Sequence, residues 1–235
     1  MKKILIIFMF LFLLTGCGKN NNELVMVTEA GFAPYEYYED GKIVGVDIAN
    51  EIAKKMGKKL VIKDVAFDSI INEVKSNKSD FGAAGISYSE EREKEVDFSI
   101  NYTTSKQVVV IKKDSGITVD NLDGKKIAVQ LGSIGDGYVT SNYKNSEIVR
   151  QKKYLQAIED LKSDKVDCVV MDELPALEFV KVNDNLMVLD KELTSDSYGM
   201  IVKKGNTELL NTINEVLKEL KDNGKIDEFI INHTK

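Results

Sequence analysis

Short apolar runs of strand length alternate with amphipathic stretches of helix length along most of this 235-residue chain, and no other feature constrains its fold as tightly. Candidate strands lie at 24–28, 60–65 and 81–84, separated by candidate helices at 47–56 and 68–76. A strand followed by a helix that leads back to a second strand builds a parallel sheet covered by helices, so the fold class is α/β. Within the first helix Val46, Ile48, Ala49, Ile52, Ala53 and Met56 recur with the period of one helical face, which leaves Lys54 and Lys55 in water. No repeat with a period of 20–50 residues is visible, which argues against a solenoid.

Beyond Asp97 the pattern changes. A polar patch at 99–106 precedes the β-rich run Gln107-Val108-Val109-Val110-Ile111. A second α/β series starts near 122–129, passes through a helix at 154–162 and a strand ending at Met171, and closes near Leu189. Another polar patch at 194–197, a strand at 198–203 and a terminal helix at 207–221 follow. Two polar patches flanking the second series imply that the chain leaves one lobe, builds another and returns. Lobe 1 is expected at 23–101 and 199–235, lobe 2 at 107–193, and the hinge at 102–106 and 194–198.

The N-terminus sets the compartment. Lys2 and Lys3 precede an unbroken apolar run at 4–14, too short for a hydrocarbon core that needs ~20 helical residues, so it reads as a secretory signal. Its ending, Leu14-Thr15-Gly16-Cys17, resembles the lipobox of bacterial lipoproteins, which implies a signal peptide at 1–16 and lipid on Cys17. Residues 17–22 then form a polar linker, and the mature protein is expected outside the cytoplasm, anchored to the membrane.

Cleavage removes two lysines and no acid, taking the formal net charge from −6 to −8. Without a basic tract the phosphate attraction behind nucleic-acid binding is missing, so no nucleic-acid partner is expected. Lipid on Cys17 leaves Cys168 alone within an apolar strand, so no disulfide framework forms. His233 is the only histidine and lies near the C-terminus, which disfavours zinc sites and Ser/His or Cys/His nucleophiles. Neither a metal nor a cofactor is expected, and no catalytic residue is assigned.

The stretch Gly85-Ile86-Ser87-Tyr88-Ser89-Glu90-Glu91-Arg92 carries the chemistry. A strand end, a pair of hydroxyls with backbone donors, and a guanidinium in the first turn of a helix make a receptor for a small carboxylate. Arg92 and Arg150 are the only arginines in a chain that otherwise takes its positive charge from lysine. Guanidinium meets a carboxylate bidentately, which an ammonium cannot do. The competing reading is a solvated arginine pairing with Glu91 or Glu95.

Several segments in order resemble the polar amino acid substrate-binding proteins of ABC importers, over residues 24–231. Glu29-Ala30-Gly31-Phe32-Ala33-Pro34-Tyr35-Glu36-Tyr37 resembles the family's first strand-to-loop segment, and Gly45-Val46-Asp47 the start of its first helix. The block at 84–99 resembles the carboxylate-binding segment, Val129-Gln130-Leu131-Gly132-Ser133 the loop that opens a lobe 2 helix, and Val170-Met171-Asp172 the strand ending in an acid. The resemblance implies a type II periplasmic binding fold, two α/β lobes joined by a two-stranded hinge with the ligand cleft between them. It also implies a free amino acid as ligand, ABC permease subunits and the bilayer as partners, and a monomer.

Carried onto this chain, the resemblance has Arg92 pair with the ligand's α-carboxylate, helped by Ser87, while the Gly85 carbonyl and Asp172 take the α-ammonium. Ser133 opens a helix whose free N–H groups favour a carboxylate and also serves as its cap. Phe32 and Phe67 wall the side chain, Ala84 belongs to the same block, and Glu29 reads the side chain's far end. An acid there favours a cation or amide donor and disfavours a glutamate-like ligand, which leaves arginine, lysine, histidine, glutamine and cystine open. Asp68 reads as a helix N-cap. Ile134 and Gln130 depart from residues common among relatives, a small polar residue and a lysine. Two rival functions share the fold, a secreted arogenate or prephenate dehydratase and an amino-acid sensor acting through a separate signalling partner.

Overall fold

The computed structural model describes residues 21–234. The expected signal peptide, Cys17 and the first part of the linker lie outside the described residues, as does Lys235. In chain order, β1 (Glu23–Thr28) leads into a small antiparallel sheet of β2 (Gly31–Phe32), β3 (Glu36–Glu39) and β4 (Lys42–Val44). Next come α1 (Asp47–Lys55), β5 (Lys59–Asp64), α2 (Ile70–Lys75), β6 (Phe81–Gly82), α3 (Glu90–Glu93) and β7 (Val96–Phe98). The middle of the chain builds β8 (Thr103–Lys112), β9 (Lys126–Gln130), α4 (Ile134–Asn142), β10 (Glu147–Gln151), α5 (Tyr154–Lys162), β11 (Cys168–Asp172), α6 (Glu173–Lys181) and β12 (Leu186–Val188). It ends with β13 (Thr194–Tyr198), β14 (Ile201–Lys203), α7 (Thr207–Asp222) and α8 (Lys225–His233).

Two larger sheets result. The first runs β5-β1-β6-β14-β7, with β1 parallel to β5 and β6 and with β14 antiparallel to its neighbours. The second runs β10-β9-β11-β8-β12, its first three strands parallel and β8 antiparallel. Side chains alternate across each sheet. In the second, Val108, Val110, Val169 and Met171 face one apolar cluster while Val109, Ile111, Cys168 and Val170 face another. Both faces are therefore dry, which is why these strands read as unbroken apolar runs. Cys168 is fully buried, and burial pushes its thiol up to about 12.

Local stops are encoded plainly. α1 buries Ala49, Ile52 and Ala53, then ends where Gly57 takes a left-handed φ of 64°. Gly57 N–H donates to the Lys54 carbonyl and Lys58 N–H to that of Ala53, the paired bonds that satisfy a helix's last carbonyls.

Two expectations need correction. Asp68 lies inside a single 3-10 turn, Phe67–Ser69, entered from Ala66, and Ser69 is the residue that precedes α2, so Asp68 caps nothing. The expected strand at 198–203 is two strands, interrupted at Gly199, whose added Cβ would stand 3.1 Å from Phe98 Cδ1. The two polar segments expected at 102–106 and 194–198 do form a two-stranded ribbon: β13 pairs antiparallel with the start of β8, from Thr103 opposite Tyr198 to Gln107 opposite Thr194. Polar side chains are tolerated there because most of this ribbon is only partly buried.

Candidate functional site

Parallel strands deliver the chain to one end of each sheet, and the loops that follow them meet. Glu29 follows β1, Ala84 and Gly85 follow β6, Gln130 ends β9, Ser133 opens α4, and Asp172 ends β11. Strand carboxyl ends of open α/β sheets are where such proteins gather polar groups, because the helices that follow present free N–H donors. One cavity is lined by all eleven residues expected from the sequence: Glu29, Phe32, Phe67, Ala84, Gly85, Ser87, Arg92, Gln130, Ser133, Ile134 and Asp172. Gln107 and Tyr154 complete the lining and were not anticipated.

Arg92 follows Ser89, whose side chain accepts from the Arg92 N–H at 3.2 Å and so caps the short α3. Its guanidinium turns inward, away from Glu91 and Glu95. Nη1 donates to the Ser87 carbonyl at 2.6 Å and Nη2 to the Gly132 carbonyl at 2.8 Å, while the group lies 5.6 Å from the centre of the Phe67 ring. Arg92 thus ties the β6 loop to the α4 loop. Burial lowers its pKa, opposed by the charges of Asp196 and Asp172.

Gly85 adopts a left-handed φ of 54°, and a Cβ there would sit 2.4 Å from Phe32 Cε1. Only glycine lets the ring and the backbone share this wall. Phe32 stacks on Tyr154 at 6.1 Å and on Tyr35 at 5.5 Å, so the aromatic wall joins β2 to the start of α5. Ser133 caps α4, accepting from the Asp136 N–H at 3.1 Å.

Asp172 precedes α6 without capping it, so its carboxylate is free to face the cavity. It accepts from Gln107 Nε2 at 2.8 Å, Tyr198 Oη at 2.5 Å and Tyr154 Oη at 3.3 Å. Burial nevertheless pushes its pKa up to about 6, with Asp196 adding to the rise and the Tyr198, Ser105 and Gln107 bonds opposing it. Asp196, on β13, accepts from Ser87 Oγ at 2.9 Å and Gln107 Nε2 at 3.2 Å. The Ser87 hydroxyl therefore donates to a carboxylate within the protein.

Glu29, only 2% exposed, accepts from Gln130 Nε2 at 3.2 Å. Lys153 Nζ lies 3.0 Å from its other oxygen, Oε1, and 3.3 Å from Asp64 Oδ2. Burial raises the Glu29 pKa, with Lys153 and Gln130 opposing. Two buried acceptors here, Glu29 Oε1 and Gln107 Oε1, have no donor directed at them, since the Lys153 approach is close but not aligned as a hydrogen bond. Buried acceptors of that kind are costly unless something with N–H groups meets them.

Of the unanticipated residues, Gln107 carried a signal: it is the polar head of an apolar strand, placed opposite Asp172 in the ladder. Tyr154, Asp196 and Lys153 reach the site only through the way the two sheets pack.

Residues 24–233 match the bacterial extracellular solute-binding proteins, family 3. The arginine-binding extracellular protein ArtP of Bacillus subtilis (strain 168) is 34% identical over 231 residues, covering 92% of this chain and 91% of that protein. Among solved structures, the amino acid ABC transporter substrate-binding protein AbpA of Streptococcus pneumoniae, bound to L-arginine, superposes with a TM-score of 0.87 at 34% identity, covering 91% of this chain and 94% of that one. An ancestral arginine-binding protein bound to glutamine gives 0.84 at 38% identity, over 90% and 97%. The architecture is the type II periplasmic binding fold, and the family is one of transport proteins rather than enzymes. With a match that spans nearly every described residue, this chain belongs to family 3 of the bacterial extracellular solute-binding proteins.

Proposed function

We propose that the protein is the extracytoplasmic substrate-binding component of an ABC importer, which captures a free polar or basic L-amino acid and passes it to membrane permease subunits. Arginine, lysine, histidine, glutamine and cystine are the candidate ligands. The observation that carries this reading is the convergence on one buried cavity of a guanidinium, Arg92, and a carboxylate, Asp172, from opposite sheets. Those are the counter-charges of a zwitterion, and charge-assisted bonds strengthen where water is excluded.

In this reading Arg92 and the Ser133 helix terminus take the α-carboxylate, and Asp172 with the Gly85 carbonyl takes the α-ammonium. Phe32 and Phe67 flank the side chain, with Ala84 and Ile134 beside them, and Glu29 and Gln130 meet its end. Around the cavity Glu29, Asp64, Asp172 and Asp196 outnumber Arg92 and Lys153, which favours a ligand carrying extra positive charge or N–H donors. Capture proceeds by closure of lobe 1 (23–101 and 199–235) on lobe 2 (107–193) about the ribbon at 102–106 and 194–198. Ligand contacts to both lobes exist only when closed, and they shift the population that way. Lipid on Cys17 would hold this monomer at the membrane beside its permease.

Calorimetry of the mature chain against the five candidates tests the reading. At least one is expected to bind, and Arg92→Ala should weaken it by about 2–5 kcal/mol, because truncation leaves a buried carboxylate unpaired. Unchanged affinity in that variant would remove Arg92 as the anchor.

A further inference from the structure

Lys153 occupies an unusual place. It is the residue that precedes α5, a position where Ser, Asn or Asp normally caps the first N–H groups and where positive charge meets the unfavourable end of the helix dipole. Its side chain makes no capping bond. Instead it leaves the helix and crosses from the second sheet to the first, where its ammonium lies between Glu29 and Asp64. Those two acids stand at the ends of neighbouring parallel strands, so they form one negative site, of which Glu29 lines the cavity. A lysine that forgoes helix capping to reach across the molecule is placed there by what it meets.

We propose that Lys153 is a specificity-determining residue, a tethered cation that competes with a cationic ligand side chain for Glu29 and so tilts the site toward an uncharged carboxamide. This rests on the reading of the cavity as an amino-acid site in which Glu29 meets the side chain's end. A guanidinium or ammonium arriving at Glu29 Oε1 must share it with Lys153 Nζ, 3.0 Å away, and two like charges at that range repel. A carboxamide has no such conflict. Its NH2 can donate to Oε1, the buried acceptor that lacks a directed donor, and its carbonyl can accept from Nζ or from Gln130 Nε2.

The test compares arginine and glutamine as probes by calorimetry on the whole mature chain. Lys153→Met keeps the aliphatic stem and removes the charge, and since the Lys153 side chain is 38% exposed the variant should fold, which its melting curve reports. Lys152→Met removes the same charge one residue earlier, where the side chain is exposed, and controls for the diffuse field. The expected result is a shift of the arginine-to-glutamine affinity ratio toward arginine by about tenfold in Lys153→Met and by less than about twofold in Lys152→Met. An unchanged ratio, a shift toward glutamine, or equal shifts in both variants would overturn the proposal while leaving amino-acid binding intact. Failure of the unaltered chain to bind either probe, or any amino acid, would instead remove the reading of the cavity and this inference with it.

Discussion

Burial pushes Asp172 up to about 6, and with Glu29 and Asp196 also raised it makes the site pH-sensitive. Asp172 is 6% exposed, and burial dominates its rise from 3.8 to about 6. For the unliganded protein a raised acid stabilises in its protonated form: that contribution is full below about pH 4 and is lost as pH rises through 6. Ligand binding has the opposite sign. In the proposed site an α-ammonium would favour the carboxylate, so the bound state would hold fewer protons and affinity should climb from pH 5 to 7 and level off above. Calorimetry across that range should show affinity falling several-fold on acidification, and Asp172→Asn should bind more weakly with a flatter profile. At this scale the composition already singled out Arg92, because a scarce guanidinium beside hydroxyls is unusual chemistry. Lys153 and Asp196 gave no such sign, since a lysine or an aspartate looks like any solvated charge until its neighbours from other elements are known.

The turn that opens α4 shows how an element is aimed. Gly132 N–H donates to Asp136 Oδ2 at 3.1 Å, and Asp136 is held in turn by Arg150 Nε at 2.9 Å, while Arg150 Nη2 donates to Thr140 Oγ1 at 2.7 Å. Arg150 stands on β10 and touches none of the cavity, so it positions the Gly132-Ser133 corner against which Arg92 and a carboxylate would pack. Arg150→Ala should weaken ligand binding by about 1 kcal/mol and leave the melting temperature nearly unchanged, as expected for a partly exposed pair. An equal loss in Thr140→Ala would not be expected, because Arg150 Nε still donates to both Asp136 oxygens. Elements with a buried face were legible in advance: α1 from its apolar spacing and Gly57, α5 from Tyr154, Ala157, Ile158 and Leu161. The pairing of β13 was not written in its own residues, which are polar on both faces with a partner about 90 positions earlier; only the family resemblance implied a two-stranded hinge there.

On the scale of the whole molecule, hinge closure predicts that a bound amino acid should lower the radius of gyration in small-angle scattering and raise the melting temperature together. Ligand at a hundredfold excess over Kd contributes about 2.7 kcal/mol, or roughly 5–10 °C for a chain of this size. A rise in melting temperature without compaction would mean capture by a rigid cleft. The relation between the sheets also separates what was written locally from what was not. Hydrophobic periodicity and stop signals determined the α/β class, because they depend on neighbours a few positions apart, and the resemblance of several ordered segments to a family of binding proteins implied eleven of the cavity's lining residues. The partners of those residues were decided only in three dimensions. Gln107 opposite Asp172, Tyr154 against Phe32, and Lys153 across the cleft to Glu29 join positions 65 to 124 residues apart. Such contacts form only when the sheets are packed, because burial rather than local chain geometry brings their polar groups together and sets their charge.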